Sequence, residues 1–318
     1  MIIVPMNSLN SLNTAPLSGA ARLSDWGLIR AAGEDAAKFL HSQLTQDFAL
    51  LGLNEARLAG FCSAKGRLLA TMIGWKPSEH EVLLALPTEL LPAILKRLSM
   101  FVLRAKCKLS DASAELQLWG LVGADAAQTL VEAVPNSPWT LSQKNGATVI
   151  ALPEAAGQAR FLLVQAQDAA APALPVLAES DWQWLDLQSG LAWVRSATTE
   201  QFVPQMLNLE LLGGVNFKKG CYPGQEVVAR SQYRGTLKRR TFLFALQGQA
   251  LPGQEIFHSE DPGQPAGLVA NAASKDGRSL ILAETKIAAL DSGSLHLGSV
   301  DGPLLQPLPL PYALTEAQ

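Results

Sequence analysis

Short apolar runs that give way to helix-period stretches divide the chain, and they do so twice in the same order. Trp26-Gly27-Leu28-Ile29 reads as a strand that runs through Gly33-Glu34-Asp35 into Ala36-Ala37-Lys38-Phe39-Leu40. Leu118-Trp119-Gly120-Leu121-Val122 repeats the move through Gly123-Ala124-Asp125 into Ala126-Ala127-Gln128-Thr129-Leu130, with Gly123 placed 90 residues after Gly33. In both copies the Gly-x-Asp carboxylate is positioned to cap the helix that follows. A second strand and helix come later in each copy: Glu81 to Leu86 then Thr88 to Leu98, and Arg160 to Gln165 then Ala169 to Ala178. The pattern predicts an α+β chain of duplicated units, each with an antiparallel or mixed sheet.

Beyond Arg240 the texture changes. Thr241 to Leu246, Ala266 to Ala270 and Arg278 to Ala283 are short runs separated by Gly, Pro and Asp, which predicts a small β-barrel or sandwich. Prolines 303, 307, 309 and 311 mark an extended tail lying across a surface. The expected organisation is a loose leader over 1–22, one unit over 23–110, a second over 111–240 and a C-terminal barrel with its tail over 241–318.

Composition narrows the class. The chain has 318 residues, 48% of them hydrophobic and 17% charged, against about 25% charged in an ordinary globular protein. That supports sizeable cores and excludes a largely disordered chain. Met1 to Arg22 lacks the basic start and apolar stretch of a signal peptide, and no run approaches a membrane span. Cys62, Cys107 and Cys221 are odd in number and far apart, which fits neither a disulfide framework nor a zinc pattern and points to a reducing cytoplasm.

The densest chemistry lies in Lys218-Lys219-Gly220-Cys221-Tyr222-Pro223-Gly224-Gln225-Glu226. Glycines on either side of Cys221 allow turn conformations and close approach of another molecule. Two preceding ammonium groups favour a thiolate, which marks Cys221 as a candidate nucleophile. A cysteine in an apolar run would be a buried hydrophobe; these neighbours are charged and turn-forming.

The net charge of −3 conceals a basic strip of Lys218, Lys219, Arg230, Arg234, Lys238, Arg239 and Arg240, opposed only by Glu226. It is a candidate anion site for RNA phosphates or for the carboxylates of a small ligand. An edge strand carrying cations against aggregation would look the same. The four histidines have no metal-ligand spacing, and no nucleophile elbow, Walker loop or dinucleotide fingerprint is present. Trp119 and Trp193 read as core residues, whereas Trp26 and Trp182 stand at the starts of elements where a ring lines a pocket.

The block Gln201-Phe202-Val203-Pro204-Gln205, Asn208-Leu209, Gly213-Gly214-Val215-Asn216-Phe217, the cysteine segment, Arg230 and Arg234-Gly235 resembles the YgfZ family of folate-binding proteins. That family is described as tRNA-modifying and linked to iron–sulfur protein maintenance. Fainter similarity covers most of the chain, including Leu23-Ser24-Asp25-Trp26, Gln43-Leu44-Thr45-Gln46-Asp47, Ala64-Lys65-Gly66-Arg67 and Pro307-Leu308-Pro309-Leu310-Pro311-Tyr312.

The resemblance implies the cloverleaf shared with the glycine-cleavage aminomethyltransferase, three domains around a central tetrahydrofolate site. It implies that Trp26 and Trp182 match folate-contacting tryptophans, with Trp184 as the alternative to Trp182, and that Cys221 matches an essential cysteine. Gln188 stands where the aminomethyltransferase holds the pterin with a glutamate, and Ala70-Thr71 where it has an acidic pair. An amide donates and accepts but carries no charge, and lost carboxylates weaken the case for amine transfer.

The expected function is therefore tetrahydrofolate binding in support of iron–sulfur enzymes, including those that modify tRNA. Arg230 and Arg234 are placed to meet the folate carboxylates. A one-carbon transferase and a direct tRNA binder are the alternatives.

Overall fold

The computed structural model describes residues 17–233 and 237–314. Among the described residues, sixteen strands form three sheets in which every pairing between neighbouring strands is antiparallel. The first sheet contains β2 (Trp26–Ala32), β3 (Ala56–Cys62), β4 (Leu68–Ser78), β5 (Glu81–Pro87) and β6 (Lys108–Asp111), in the order β3-β4-β5-β2-β6. The second contains β1 (Gly19–Arg22), β7 (Leu116–Val122), β8 (Leu141–Lys144), β9 (Ala147–Ala155) and β10 (Gln158–Ala166), in the order β1-β7-β10-β9-β8. The two copies seen in the sequence pair alike: β2 lies on β5 with Leu28 opposite Ala85, and β7 lies on β10 with Gly120 opposite Leu162.

Helices α1 (Ala36–Gln43), α2 (Leu91–Ser99), α3 (Ala124–Gln128), α4 (Glu179–Gln188) and α5 (Gln225–Tyr233) connect and cover these sheets. The expected caps do not form. Neither α1 nor α3 has a side-chain cap; Asp35 Oδ2 instead accepts the Lys106 amide at 2.8 Å, tying the start of α1 to the approach to β6. The helix expected over Ala169 to Ala178 is absent as well. Pro172 and Pro175 fall inside that alanine-rich stretch, where each removes a donor and obstructs the preceding turn, and helix begins only at Glu179. Of the expected leader, residues 1–16 lie outside the described residues. Its last four form β1, which pairs with β7, and Ala20 exchanges hydrogen bonds with Pro175 and Leu177.

The third sheet comprises β11 (Arg239–Gln247), β12 (Glu255–His258), β13 (Asp261–Lys275), β14 (Arg278–Lys286), β15 (Leu295–Leu297) and β16 (Gln306–Leu308). Its order is β15-β12-β13-β14-β11-β16. The sheet curls: Leu305, entering edge strand β16, donates to Leu295 O of the other edge strand, β15, at 2.8 Å, while Leu308 of β16 pairs with Leu243 of β11. Alternation along β14 gives it two apolar faces. Ile281 and Ala283 join Phe244, Ile256 and Val269 inside the curl, and Leu280 and Leu282 face the continuous core of the other two sheets. Helix α4 packs between that body and β13, so residues from distant parts of the chain meet there.

Candidate ligand cavity and cysteine turn

A cavity of about 170 Å³ opens where β2, α4, the segment after α4 and β13 converge, with Asp25, Trp26, Trp182, Asp186, Trp193 and Arg195 on its walls. Trp26 is half-buried and meets Trp193 edge to face, with ring centroids 4.7 Å apart and planes at 84°, a preferred aromatic geometry. Trp182 is buried against β7, where Gly120 makes room for it: a Cβ on Gly120 would come within 2.3 Å of the indole. Behind the ring, the Arg160 guanidinium stands 4.6 Å from its centroid and pairs with Asp186. One helical turn separates Trp182 from Asp186, so α4 turns both to the same side.

The polar wall is acidic but partly neutralised. Asp186 accepts the Trp193 indole N–H at 2.6 Å as well as Arg160. Burial pushes its carboxyl up, and the Arg160 guanidinium and the indole N–H oppose that push. Asp25 pairs with Arg195 at 3.1 Å, and Arg195 also reaches Glu89 at 2.7 Å. Beside Asp25 lies Glu179, whose Oε2 accepts the Ser24 hydroxyl at 2.9 Å while the buried Oε1 has no partner. Burial pushes the Glu179 carboxyl up, the Ser24 hydroxyl works against this, and the Asp25 carboxyl adds to it.

The cavity takes in some of the expected residues and leaves out others. Trp26 and Trp182 share it, and Trp184 is buried elsewhere on α4. Gln188 does not line it; six residues after Trp182, it lies well round the helix from the wall that Asp186 occupies. Arg230 is exposed on α5 and is also outside the lining, and Arg234 lies outside the described residues. The guanidinium at the cavity is that of Arg195. Trp193, expected as plain core, is buried yet lines the space. Thr71, at the position of the missing acidic pair, is fully buried, and its Oγ1 accepts the Val194 amide at 2.9 Å. That bond fixes the backbone next to Trp193.

Cys221 occupies a second place, on a turn packed against the β3–β4 connection. Gly224 has φ +78°, and a Cβ there would strike Ser63 O at 2.4 Å and Gly66 Cα at 2.7 Å, so only glycine permits the contact. Tyr222 is buried beneath the turn, and α5 begins with half-buried Gln225 and exposed Glu226, an acid suited to a helix N-terminus. Cys221 itself is exposed, as are Lys218 and Gly220.

Lys219 turns inward. Its ammonium donates to His41 O and, at 2.9 Å, to Leu44 O, closing the C-terminal carbonyls of α1, and it stands 4.7 Å from the Tyr222 ring centroid. Burial lowers it to about 8, with the charges of Asp47 and Cys221 acting in the opposite direction. The basic strip is accordingly broken. Lys219 is consumed by α1, Arg239 pairs with Glu284 and Arg240 with Glu210, leaving Lys218, Arg230 and Lys238 exposed among the described residues. Also among the described residues, no cluster of three or more His, Cys, Asp or Glu could hold a metal ion, and no helix is long and apolar enough to cross a membrane.

Three antiparallel sheets, the third of them curled, make an aminomethyltransferase-like fold. The glycine cleavage system aminomethyltransferase T from Bartonella henselae superimposes with a TM-score of 0.70 at 16% identity, over 92% of this chain and 85% of that one. The chain belongs to the family of the tRNA-modifying protein YgfZ. It is 30% identical over 325 residues to that protein from Photorhabdus laumondii, spanning 96% of this chain and 95% of the relative. It is 31% identical over 269 residues to the one from Colwellia psychrerythraea, spanning 82% and 80%. No family profile matches the chain.

Proposed function

We propose that this chain binds tetrahydrofolate in the Trp26–Trp182 cavity and, through Cys221, supports the assembly or repair of iron–sulfur enzymes that modify tRNA. The observation that carries the reading is the convergence of two indoles from separate elements on one small cavity whose polar wall is acidic. The residues fit a reduced pterin. Its flat ring suits an aromatic wall, and its amino and ring N–H groups suit carboxylate acceptors at Asp25 and Asp186.

A volume of about 170 Å³ falls below the roughly 300–1,000 Å³ of a site that encloses a whole drug-sized ligand. The cavity would take the pterin head and leave the aminobenzoyl-glutamate tail outside. Bound there, the folate supplies a carrier of one-carbon units. In this reading the units 23–110, 111–240 and 241–318 form a cloverleaf around the folate, the last of them a small barrel, and the protein works in the cytoplasm. The names of its relatives support a role in tRNA modification, and the broken basic strip favours action on enzymes over direct tRNA binding.

Calorimetry of the full chain against tetrahydrofolate and against bulk tRNA tests the reading. Saturable folate binding, with tRNA binding that is weak and collapses as salt rises, is expected. Tight tRNA binding without folate binding would overturn it.

A further inference from the structure

Beside the cysteine turn lies a histidine that the sequence does not connect with Cys221. His41 occupies the last turn of α1, and its Nδ1 meets Asp47 Oδ1 at 2.9 Å. Asp47 is held in turn by the Leu50 amide at 3.0 Å. Burial works against the Asp47 charge, but that amide and the His41 ring bring its carboxyl below the usual range. An ionised Asp47 makes Nδ1 the donor nitrogen of His41; the Ala49 amide, 3.5 Å from Nδ1, is too distant to compete. The acceptor lone pair then falls on Nε2, which faces the cysteine turn: a methyl group placed on Gly220 would sit 3.4 Å from it.

We propose that His41, oriented by Asp47, accepts the proton of the Cys221 thiol, so that the pair reacts as an imidazolium and a thiolate. The S–H bond of Cys221 breaks, its proton passes to Nε2, and Asp47 balances the new positive charge through Nδ1–H. The arrangement is that of a nucleophile, a base and an orienting carboxylate. The charged groups around the ring are Asp47 on its own side, Lys219 on the facing turn, whose ammonium feels the charges of both Asp47 and Cys221, and Lys38 one turn back on α1. A Cβ at position 220 would only just touch the ring nitrogen, so the turn that carries Cys221 passes directly beside Nε2. The pair rests on the reading of Cys221 as the reactive group, but its test is independent of folate and of any client enzyme.

Alkylation of Cys221 by iodoacetamide, followed by mass spectrometry across pH 5 to 10, reads the proton transfer in the intact chain. The wild type is expected to show an inflection near neutral pH. His41→Gln should move it toward the roughly 8.5 of a free thiol and slow labelling at pH 7 on the order of ten-fold. Profiles that superimpose would overturn the proposal. Should His41→Gln fail to fold, the His41 imidazole can be titrated by NMR in the wild type and in Cys221→Ser. A coupled titration displaced by the serine is expected, and an unchanged one rejects the pair. Loss of cellular function in Cys221→Ser together with superimposed alkylation profiles would leave the proposed function standing and remove only His41.

Discussion

The Arg160 guanidinium lies 4.6 Å from the Trp182 ring centroid while pairing with Asp186 one helical turn further along α4. The Arg160 side chain is completely buried, so one strand residue both backs the aromatic wall and neutralises the acid beside it. Removing a single partner strands a buried charge, which costs about 3–5 kcal/mol. Arg160→Met should therefore lower stability in urea by that amount, and adding Asp186→Leu to it should restore a substantial part. A single variant within about 1 kcal/mol of the wild type would show that the pair is not the brace it resembles.

Gly120 and Trp182 meet too closely for any side chain at position 120. Gly120→Ala must push the indole or bend β7, and overpacking of this kind costs about 1–3 kcal/mol. The displaced ring should also weaken tetrahydrofolate binding. Denaturation midpoints and calorimetry on the same variant check both effects, and a Gly120→Ala protein as stable as the parent with full affinity counts against the packing described.

Trp26 is half-buried, so its loss should affect the ligand more than the fold. Trp26→Ala is expected to weaken tetrahydrofolate binding by about 1–3 kcal/mol, the scale of a lost stacking partner. Quenching of tryptophan fluorescence on titration gives the affinity directly. Unchanged affinity would move the folate elsewhere.

Much of this architecture is readable from local pattern, because the strand runs and the turn residues between them act over a few positions. Both strand-and-turn copies, the runs of the third sheet and the docking of the tail are of that kind: Tyr312 donates to Gly190 O at 2.8 Å. The cavity is harder to read because its polar wall is tertiary. Asp25, Asp186, Arg195 and Asn271 come from four separate segments, and nothing in their local sequence brings them together. The family resemblance points to Gln188 on α4, whereas helical phase puts Asp186 on the cavity wall. The aspartates that look like caps show the same limit: Asp35 serves the bend leading into β6, 71 residues away. The His41–Asp47 pair escapes a motif search because neither residue carries a motif, and the one local signal for it is a six-residue separation across a helix end.

Lys219 gives a pH dependence with a definite sign. Its folded value is lowered to about 8 by burial, below the roughly 10.4 of an exposed lysine. The unfolded chain therefore holds more protons between those values, and stability attributable to this group rises with pH across that window. Below about pH 8 the burial penalty is present in full. The stability difference between wild type and Lys219→Met should therefore shift in favour of the wild type as pH rises from 8 to 10.5. A difference flat across that range, measured by chemical denaturation at each pH, would mean that Lys219 keeps an ordinary proton affinity.

The three cysteines should separate cleanly by reactivity. Burial pushes the Cys62 thiol up to about 12, and burial with the nearby Asp35 charge pushes Cys107 to about 11, so both hold little thiolate near neutrality. Cys221 is exposed on its turn. Alkylation at pH 7.5 should label Cys221 at least on the order of ten-fold faster than either of the others, with Cys107, only half-buried, next and Cys62 last. Cys221→Ser should change stability by less than about 1 kcal/mol, as expected for a side chain outside a packed core. It should also bind tetrahydrofolate as the wild type does, because Cys221 does not line the cavity. Loss of iron–sulfur enzyme activity in cells carrying that variant, with fold and folate binding intact, is the outcome that separates a reactive thiol from a structural one. A serine variant that unfolds, or one that supports those enzymes fully, returns Cys221 to a passive place in the turn.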